Sequence, residues 1–303
     1  MWTKNNIPNL KGKSVIVTGA NTGIGYETAL ALYQAGADVT LACRDKNNTL
    51  RAIDQMIAIG GRGSLNFDLL NLANLDQVKS FADSFKARNQ KLDLLINNAG
   101  VMLPPPTLSD NGFELQFAVN FLGHFALTVH LFPLLEQARK ARVITLSSGA
   151  ATQVNHIDFK NLKLEKEYDA QREYAQSKLA DLQFTFELNR RLINLKSDVI
   201  AVAAHPGVVR TDLQRHIPAD ELAIAFSHFK SVSEPWQGAL PSLYAATNET
   251  VKGGEYYAPD GENEYSGYPA LSKQRTSATT DELQAQQLWA FAEEVTKINF
   301  LTR

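Results

Sequence analysis

Short apolar runs alternate with longer amphipathic segments along most of the chain, and this alternation constrains the fold more than any other feature. Each run is short, rich in Val, Ile and Leu, and apolar at successive positions, which is typical of a strand buried on both faces. Alternation of such runs with helical segments predicts an α/β fold, a doubly wound parallel sheet with helices on both faces. The predicted strands are 14–20, 38–44, 63–69, 92–100, 142–148 and 198–207.

The segments between the predicted strands carry apolar residues at helical spacing. The longest of them contains Pro133, at which we expect a kink. The predicted helices are 23–37, 47–60, 74–89, 112–140 and 174–192.

The bulk properties favour an ordinary globular protein. The 303 residues show no linker, repeat or break in composition, so we predict one domain over residues 1–303. A formal net charge of −2 gives no attraction toward nucleic acid or an anionic membrane. One cysteine allows no internal disulfide, which suits a reducing compartment. No secretory segment and no run of about 18 apolar residues occurs, so we expect a cytoplasmic protein without a transmembrane segment.

A glycine-rich turn, TGANTGIG at 18–25, follows the first predicted strand and precedes the first predicted helix. Without Cβ atoms, the glycines at 19, 23 and 25 let backbone N–H groups approach a pyrophosphate. The positive N-terminus of the following helix favours the same anion. The alternative is that these glycines only make a tight connection. The position between strand and helix favours nucleotide binding.

Five motifs, each at a predicted strand end, resemble those of the short-chain dehydrogenase/reductase family. They are TGANTGIG, NNAG at 97–100, the serine pair at 147–148, YAQSK at 174–178 and HPGVVRT at 205–211. VNFLGHFALT at 119–128 and GGEYYAPDGENEYSGYP at 253–269 further resemble the retinol-dehydrogenase-like and WW-domain-oxidoreductase-like branch. The resemblance covers about residues 10–260, with a C-terminal extension beyond, and implies a Rossmann fold.

The resemblance implies a set of residues around a nicotinamide dinucleotide. Asp68 would bind the adenine amino group, although a turn aspartate is the alternative, and Thr211 would reach the amide or the pyrophosphate. The asparagine at 98 would also bond neighbouring backbone. The expected cofactor residues are Gly19, Asn21, Thr22, Gly23, Ile24, Gly25, Arg44, Asp68, Leu69, Asn98, Ala99, Gly100, Tyr174, Lys178, Pro206, Gly207, Val209 and Thr211.

The end of the second predicted strand bears on the choice of cofactor. An acidic residue there binds the ribose of NAD, whereas an arginine accommodates the 2′-phosphate of NADP. The acidic position is occupied by Cys43, and Arg44 follows it. A guanidinium matches phosphate geometry well, so we predict NADP(H). If the Asp45 carboxylate reaches the ribose, NAD(H) could compete. Alternatively, Arg44 is only a solvated charge in a loop.

Tyr174 and Lys178 are spaced to lie on one face of a helix. An ammonium near a phenol favours the phenolate and lowers the phenol's pKa, which suits acid–base work near neutral pH. The resemblance implies that Lys178 also bonds the nicotinamide ribose and that Ser148, rather than Ser147, binds the substrate oxygen. It implies further that Asn120 holds a water linked to Lys178. Local backbone bonding is the alternative for Asn120.

Other residues offer competing interpretations. Residues 151–173 form a polar expansion before Tyr174, and Tyr168 within it is a rival phenol that lacks a lysine four residues later. His205 closes an apolar strand, where a packed structural histidine is the usual case. The amphipathic segment 217–230 is interpreted as a substrate lid, with a membrane or subunit contact surface as alternatives.

These features together predict an NADP(H)-dependent oxidoreductase that reduces an aldehyde or ketone, or oxidises the matching alcohol. The alternative is a non-catalytic NADP-binding regulator on the same fold. An epimerase or dehydratase is disfavoured because the residues after Gly261 are too few for a separate substrate domain. We predict no metal site. The resemblance implies a dimer or tetramer, although the branch also contains monomers.

Overall fold

The computed structural model describes residues 1–300 and contains an eight-stranded sheet in the order β3-β2-β1-β4-β5-β6-β7-β8. The first seven strands pair in parallel, and β8 pairs antiparallel to β7 at one edge. The predicted doubly wound sheet is therefore confirmed, and the two last strands were not predicted. The strands are β1 (Ser14–Thr18), β2 (Asp38–Cys43), β3 (Ser64–Leu69), β4 (Leu94–Asn97), β5 (Arg142–Leu146), β6 (Ile200–Ala204), β7 (Tyr256–Pro259) and β8 (Pro269–Leu271).

Helices cover both faces of this sheet and divide the core into two layers. Side chains of α3, α4, α5 and α9 fill the layer on one face, and side chains of α1, α2 and α8 fill the other. The α-helices are α1 (Gly23–Gln34), α2 (Lys46–Ile59), α3 (Leu75–Arg88), α4 (Gly123–Glu136), α5 (Ala170–Asn194), α6 (Ala219–Ser227), α7 (Pro235–Gly238), α8 (Leu240–Thr247) and α9 (Glu282–Thr296).

The helix expected over 112–140 begins later and is not regular. A π-helical segment at Phe117–Leu122 runs directly into α4, and Pro133 lies inside α4. A π-turn widens the helix locally and is frequent at functional sites. The combined helix Phe117–Glu136 is long and apolar enough to cross a membrane, but 83% of its most apolar window is buried in the protein core. Burial of this kind is ordinary for a core helix, and the cytoplasmic location stays a prediction.

Candidate active site

A groove of about 510 Å³ opens at the carboxyl ends of the parallel strands. Ligands of open α/β sheets bind at this edge, because the loops after successive strands converge there. Nearly all of the sequence-predicted residues line it. Those that do are Gly19, Asn21, Thr22, Gly23, Ile24, Gly25, Arg44, Asn98, Ala99, Gly100, Ser148, Tyr174, Lys178, Pro206, Gly207, Val209 and Thr211.

The turn between β1 and α1 requires glycine at two of its positions. Gly19 has φ +64°, and a Cβ there would lie 2.9 Å from the Ala99 Cα. A Cβ at Gly25 would overlap the Gly19 carbonyl oxygen and lie 2.5 Å from Asn98 Nδ2. Thr22 precedes α1 without capping it through its side chain. The first N–H groups of α1 are therefore open toward the groove, which fits a bound pyrophosphate.

Asn98 and Thr18 hold this turn against the loop after β4. The Asn98 amide donates to the Thr18 carbonyl at 2.7 Å, and the Thr18 hydroxyl accepts the N–H groups of Asn98 and Ala99 at 2.9 Å each. Asn98 therefore bonds backbone, as expected, but across to β1 rather than within its own turn.

The expectation for Asp68 and Leu69 is wrong. Asp68 faces α3, where its Oδ2 receives Arg88 Nη2 at 2.7 Å, and Leu69 is 56% exposed outside the groove. β3 runs on to Leu69, so the chain reaches the groove only after the strand ends. The residues of that segment that line the groove are Leu70, Asn71 and Leu72.

At the end of β2, Arg44 is exposed and lines the groove together with Asp45 and Asn48. The Asp45 carboxylate is already engaged, since it caps α2 by accepting Asn48 N at 2.9 Å and Asn48 Nδ2 at 2.8 Å. The Cys43 thiol is buried and accepts the N–H of Ala20 at 3.2 Å. Burial raises the pKa of that thiol, so it stays protonated.

Tyr174 and Lys178 lie one turn apart near the start of α5. The side chain of Asp169 caps the N-terminus of this helix. Both are buried, with 9% and 5% exposure, and both line the groove. Lys178 Nζ lies 6.0 Å from the centre of the Tyr174 ring. It donates to the Leu146 carbonyl at 2.9 Å and to Asp181 Oδ2 at 2.9 Å. Asp181 was not predicted, although its spacing from Lys178 on a helix was visible in the sequence.

The net pKa shift of Tyr174 differs from the expectation. Burial raises the pKa of the phenol, while the charge of Lys178 and a hydrogen bond with Ser148 lower it, and the net shift is upward. The ammonium acts in the expected direction but does not outweigh desolvation. Tyr174 is therefore a phenol that holds its proton at neutral pH, which suits a proton donor.

The two serines at the end of β5 face different partners. The Ser147 hydroxyl donates to the Lys178 carbonyl at 2.7 Å, so it ties β5 to α5. The Ser148 hydroxyl accepts the N–H of Ala150 at 3.2 Å. Ser148 lines both the groove and a second cavity, whereas Ser147 lines only the groove. The choice of Ser148 over Ser147 as the residue that binds the substrate oxygen stays a prediction.

Asn120, in the π-helical segment, bonds backbone and Ser177 rather than Lys178. Its Oδ1 accepts the N–H of Val101 at 2.8 Å, and its Nδ2 donates to the Val101 carbonyl at 3.0 Å and to Ser177 Oγ at 2.9 Å. Its carbonyl oxygen lies 2.8 Å from His124 Nδ1. Asn120 therefore fixes the loop after β4 to α5, and its water-mediated link to Lys178 stays a prediction.

The two rival residues both bond to other groups of the protein, and of the two only His205 lines a cavity, the second one described below. The Tyr168 hydroxyl donates to the Pro104 carbonyl at 2.8 Å and accepts from Gln116 Nε2 at 3.2 Å, away from both cavities. His205 is 2% exposed; its Nδ1 accepts the N–H of Gly207 at 3.2 Å and its Nε2 lies 2.8 Å from Glu264 Oε2. This geometry is that of a packed structural histidine, as the sequence indicated.

The second cavity, of about 930 Å³, adjoins the groove at Ser148, Gly207 and Val208. Its walls mix apolar and polar groups. The segment 217–230 reaches it through Phe229, whose ring lies 4.9 Å from that of Tyr265. Phe229 belongs to the apolar face of the segment expected to be a lid. Tyr265 was not predicted to face it, because it lies in the connection between β7 and β8, two strands that the sequence did not indicate.

Comparisons with known proteins place the chain in a family. A family model described as short chain dehydrogenase matches residues 13–222. Human retinol dehydrogenase 13 is 40% identical over 294 residues, covering 93% of this chain and 83% of that protein. Mouse retinol dehydrogenase 11 is 42% identical over 243 residues, covering 80% and 76% respectively.

Solved structures share the fold. The crystal structure of a protein from Mycobacterium paratuberculosis aligns with a TM-score of 0.83 at 35% identity and covers 99% of both chains. A short chain dehydrogenase from Burkholderia cenocepacia J2315 in complex with NADP aligns with a TM-score of 0.66 at 23% identity, covering 82% of this chain and 96% of that one. The family match and these relatives agree with the groove and its motifs. The chain therefore belongs to the short-chain dehydrogenase family, in its retinol-dehydrogenase-like branch, and is an oxidoreductase acting on CH–OH groups.

Proposed function

We propose that this protein is an NADP(H)-dependent oxidoreductase that reduces an aldehyde or ketone, or oxidises the matching alcohol, with Tyr174 as the acid–base residue. The observation that carries the proposal is the position of Ser148. It lies where the nucleotide-sized groove and the second cavity meet, and the groove also holds Tyr174 and Lys178. A carbonyl oxygen near Ser148 would have a hydroxyl, a phenol and an ammonium close to it.

The groove fits a dinucleotide because its glycines leave space that a Cβ would fill. The first N–H groups of α1 are also open to it. When bound, the dinucleotide supplies or accepts the hydride. Gly19, Gly23 and Gly25 would admit the pyrophosphate. Asn71 and Leu72 would flank the adenine in place of the residues first expected, and the loop at Asn98–Gly100 would admit the ribose.

The preference for NADP(H) rests on Arg44. Its side chain is exposed on the groove wall, whereas the Asp45 carboxylate is occupied by Asn48. A guanidinium binds phosphate through paired hydrogen bonds, so it favours the cofactor with the extra phosphate.

The protonation states and hydrogen-bond donors of the site suit carbonyl reduction. Tyr174 keeps its proton at neutral pH and can donate it to the carbonyl oxygen. Ser148 would hydrogen-bond the same oxygen as charge develops on it. Lys178 would stabilise the phenolate that remains, since its ammonium lies 6.0 Å from the centre of the ring.

The substrate class follows from the second cavity. Its walls are partly apolar, including Phe229, Pro259 and Leu271. We propose a substrate with an apolar body attached to the reacting carbonyl or alcohol. The names of the relatives make retinaldehyde and retinol members of the panel to be tested.

The test is turnover of the purified protein with NADPH and a panel of aldehydes and ketones, followed by cofactor absorbance. The panel includes retinaldehyde, aliphatic and aromatic aldehydes, and ketones of graded size. We expect NADPH consumption with at least one apolar carbonyl. Saturable NADPH binding without turnover on any member, in either direction, would favour the non-catalytic regulator instead.

A further inference from the structure

Beneath the site, α5 carries a buried carboxylate that neither cavity reaches. Asp181 lies three residues after Lys178 and is 1% exposed. Its Oδ2 receives Lys178 Nζ at 2.9 Å, and the same ammonium donates to the Leu146 carbonyl at 2.9 Å. Asp181 lines neither the groove nor the second cavity. Any influence on a bound substrate must therefore pass through Lys178.

The other ionisable groups around this pair are neutral. On α4, burial and the charge of Lys178 lower the pKa of His124 to about 4 against a bond to Asn120 that raises it. On β7, burial raises the pKa of Tyr256 well above its ordinary value. On α5 itself, Tyr174 keeps its proton, as described above. Within residues 1–300, Asp181 is thus the carboxyl group that faces Lys178. Burial raises the pKa of this carboxyl to about 7 although Lys178 lowers it, so Asp181 is a full counter-charge only above neutral pH, the range in which Lys178 titrates.

Lys178 needs such a partner because it is buried. Burial by itself lowers the pKa of its ammonium, but the Asp181 carboxylate raises it, and the net shift is upward. A buried ammonium without a partner shifts toward its neutral form, since desolvation penalises the charge. The carboxylate therefore offsets the cost of keeping a cation next to Tyr174.

We propose that Asp181 is a positioning residue that holds the Lys178 ammonium, in its charged form, between the end of β5 and the Tyr174 ring. The consequence for catalysis rests on the proposed function, whereas the ion pair itself is a property of the free protein. The hydrogen bond to the Leu146 carbonyl fixes the position of the ammonium along the axis of α5. The Asp181 carboxylate stabilises its charged form.

The charge of Asp181 can be separated from its hydrogen bond. Only Oδ2 bonds Lys178, and within residues 1–300 the other oxygen, Oδ1, has no hydrogen-bond partner. The amide oxygen of an asparagine could accept from Lys178 at the same place. Asp181→Asn therefore keeps the shape and one acceptor while removing the charge. A merely structural acceptor would tolerate this change, and a counter-charge would not.

The direct test is an NMR titration of the protein with isotope-labelled lysine, in which Lys178 is assigned by the signal that Lys178→Arg removes. In the wild type, we expect Lys178 to stay charged beyond the ordinary lysine range. In Asp181→Asn, we expect its titration to fall by about 2 pH units, as for a buried lysine without its partner. An unchanged midpoint in the folded variant overturns the proposal. A wild-type midpoint below the ordinary lysine range also overturns it, and that result does not depend on whether the variant folds.

A kinetic test uses Glu187→Gln as the matched control. Glu187 is another buried carboxylate on α5, 4% exposed and paired with Arg190 and Arg191. In Asp181→Asn, we expect the alkaline limb of the kcat/KM profile for reduction to move to lower pH, because Lys178 then loses its proton before the Tyr174 phenol does. The control should keep the wild-type limb, and an equal shift in both variants contradicts the proposal. If the wild type reduces nothing, the proposed function fails and the NMR titration alone decides the role of Asp181.

Discussion

The hydroxyl of Ser147 donates to the carbonyl of Lys178 at 2.7 Å, while the Lys178 ammonium donates back to the carbonyl of Leu146 at 2.9 Å. These two bonds fasten the end of β5 to the third turn of α5. Ser148 is the next residue of the chain, and Tyr174 lies one turn earlier on α5. The distance between Ser148 and the Tyr174 phenol is therefore set by a brace, to which Ser147 contributes without belonging to the proposed reaction.

Ser147→Ala and Ser148→Ala form a matched pair that separates bracing from chemistry. Ser147 is buried, so losing its bond should cost about 1 kcal/mol in the free energy of unfolding, with a modest loss of kcat. Ser148→Ala should leave stability nearly unchanged but lower kcat about 10²-fold, as expected for an oxyanion-type donor. Denaturant unfolding and steady-state kinetics measure both. The reverse pattern would exchange the roles given to the two serines.

Gly25→Ala should abolish binding of the cofactor. The added methyl group would overlap the Gly19 carbonyl and press on Asn98, so the turn must move. Titration of the protein with NADPH by fluorescence is the measurement. Gly60→Ala is the control, because Gly60 lies at the end of α2 with open space around it. Gly60 has φ 93° and ψ 151°, a conformation nearly restricted to glycine, so an alanine there should cost about 2 kcal/mol in stability, with cofactor binding unchanged. Normal binding by Gly25→Ala would show that the turn is not the pyrophosphate site.

Arg44→Ala should reduce the preference for NADPH over NADH. A charge-assisted bond to phosphate contributes about 2 kcal/mol, so kcat/KM with NADPH should fall about 30-fold while that with NADH hardly changes. Lys46→Ala is the control, since Lys46 lies nearby at the start of α2 but outside the groove lining. Equal losses with both cofactors would remove Arg44 from phosphate recognition.

The pH dependence of the two directions should differ. The pKa of Tyr174 is raised from its ordinary value of 10.0, chiefly by burial, so the proton stays on through neutral and mildly alkaline pH. Reduction, which uses the protonated phenol, should be flat over that range and fall only above it. Oxidation, which uses the phenolate, should rise with pH across the same range. Profiles of kcat/KM in both directions check this, and a reduction rate that falls through neutral pH would contradict it.

The motifs that line the groove were predictable because the local sequence pattern and the position of each motif next to a strand or helix point to the same function. TGANTGIG, NNAG and YAQSK each follow or precede an apolar run whose strand or helix is unambiguous, and the structure brings all three to one groove. The β3 exit was not predictable in the same way. FDLLNL offers an aspartate at 68 and an asparagine at 71 within four residues, and only the end of the strand decides which one faces the groove.

Two further features depend on packing that no local pattern reveals. The net pKa of Tyr174 is set by how completely the fold buries it, which a four-residue spacing does not report. The role of Asp181 depends on neighbours from β7 and α4 being neutral, and on β5 ending beside Lys178. The last two strands of the sheet, β7 and β8, are short and contain Pro259 and Pro269, so their sequence resembles a loop.

Proton donation by Tyr174 is tested by comparing Tyr174→Phe with Tyr168→Phe. Each variant removes one hydroxyl, from the groove in the first case and from a contact with Pro104 outside both cavities in the second. With NADPH affinity measured alongside, Tyr174→Phe should bind the cofactor normally and lose kcat by about 10³-fold or more, within the range of acid–base catalysis. Tyr168→Phe should keep kcat near that of the wild type. Full turnover by Tyr174→Phe, or its loss in Tyr168→Phe alone, would contradict the mechanism.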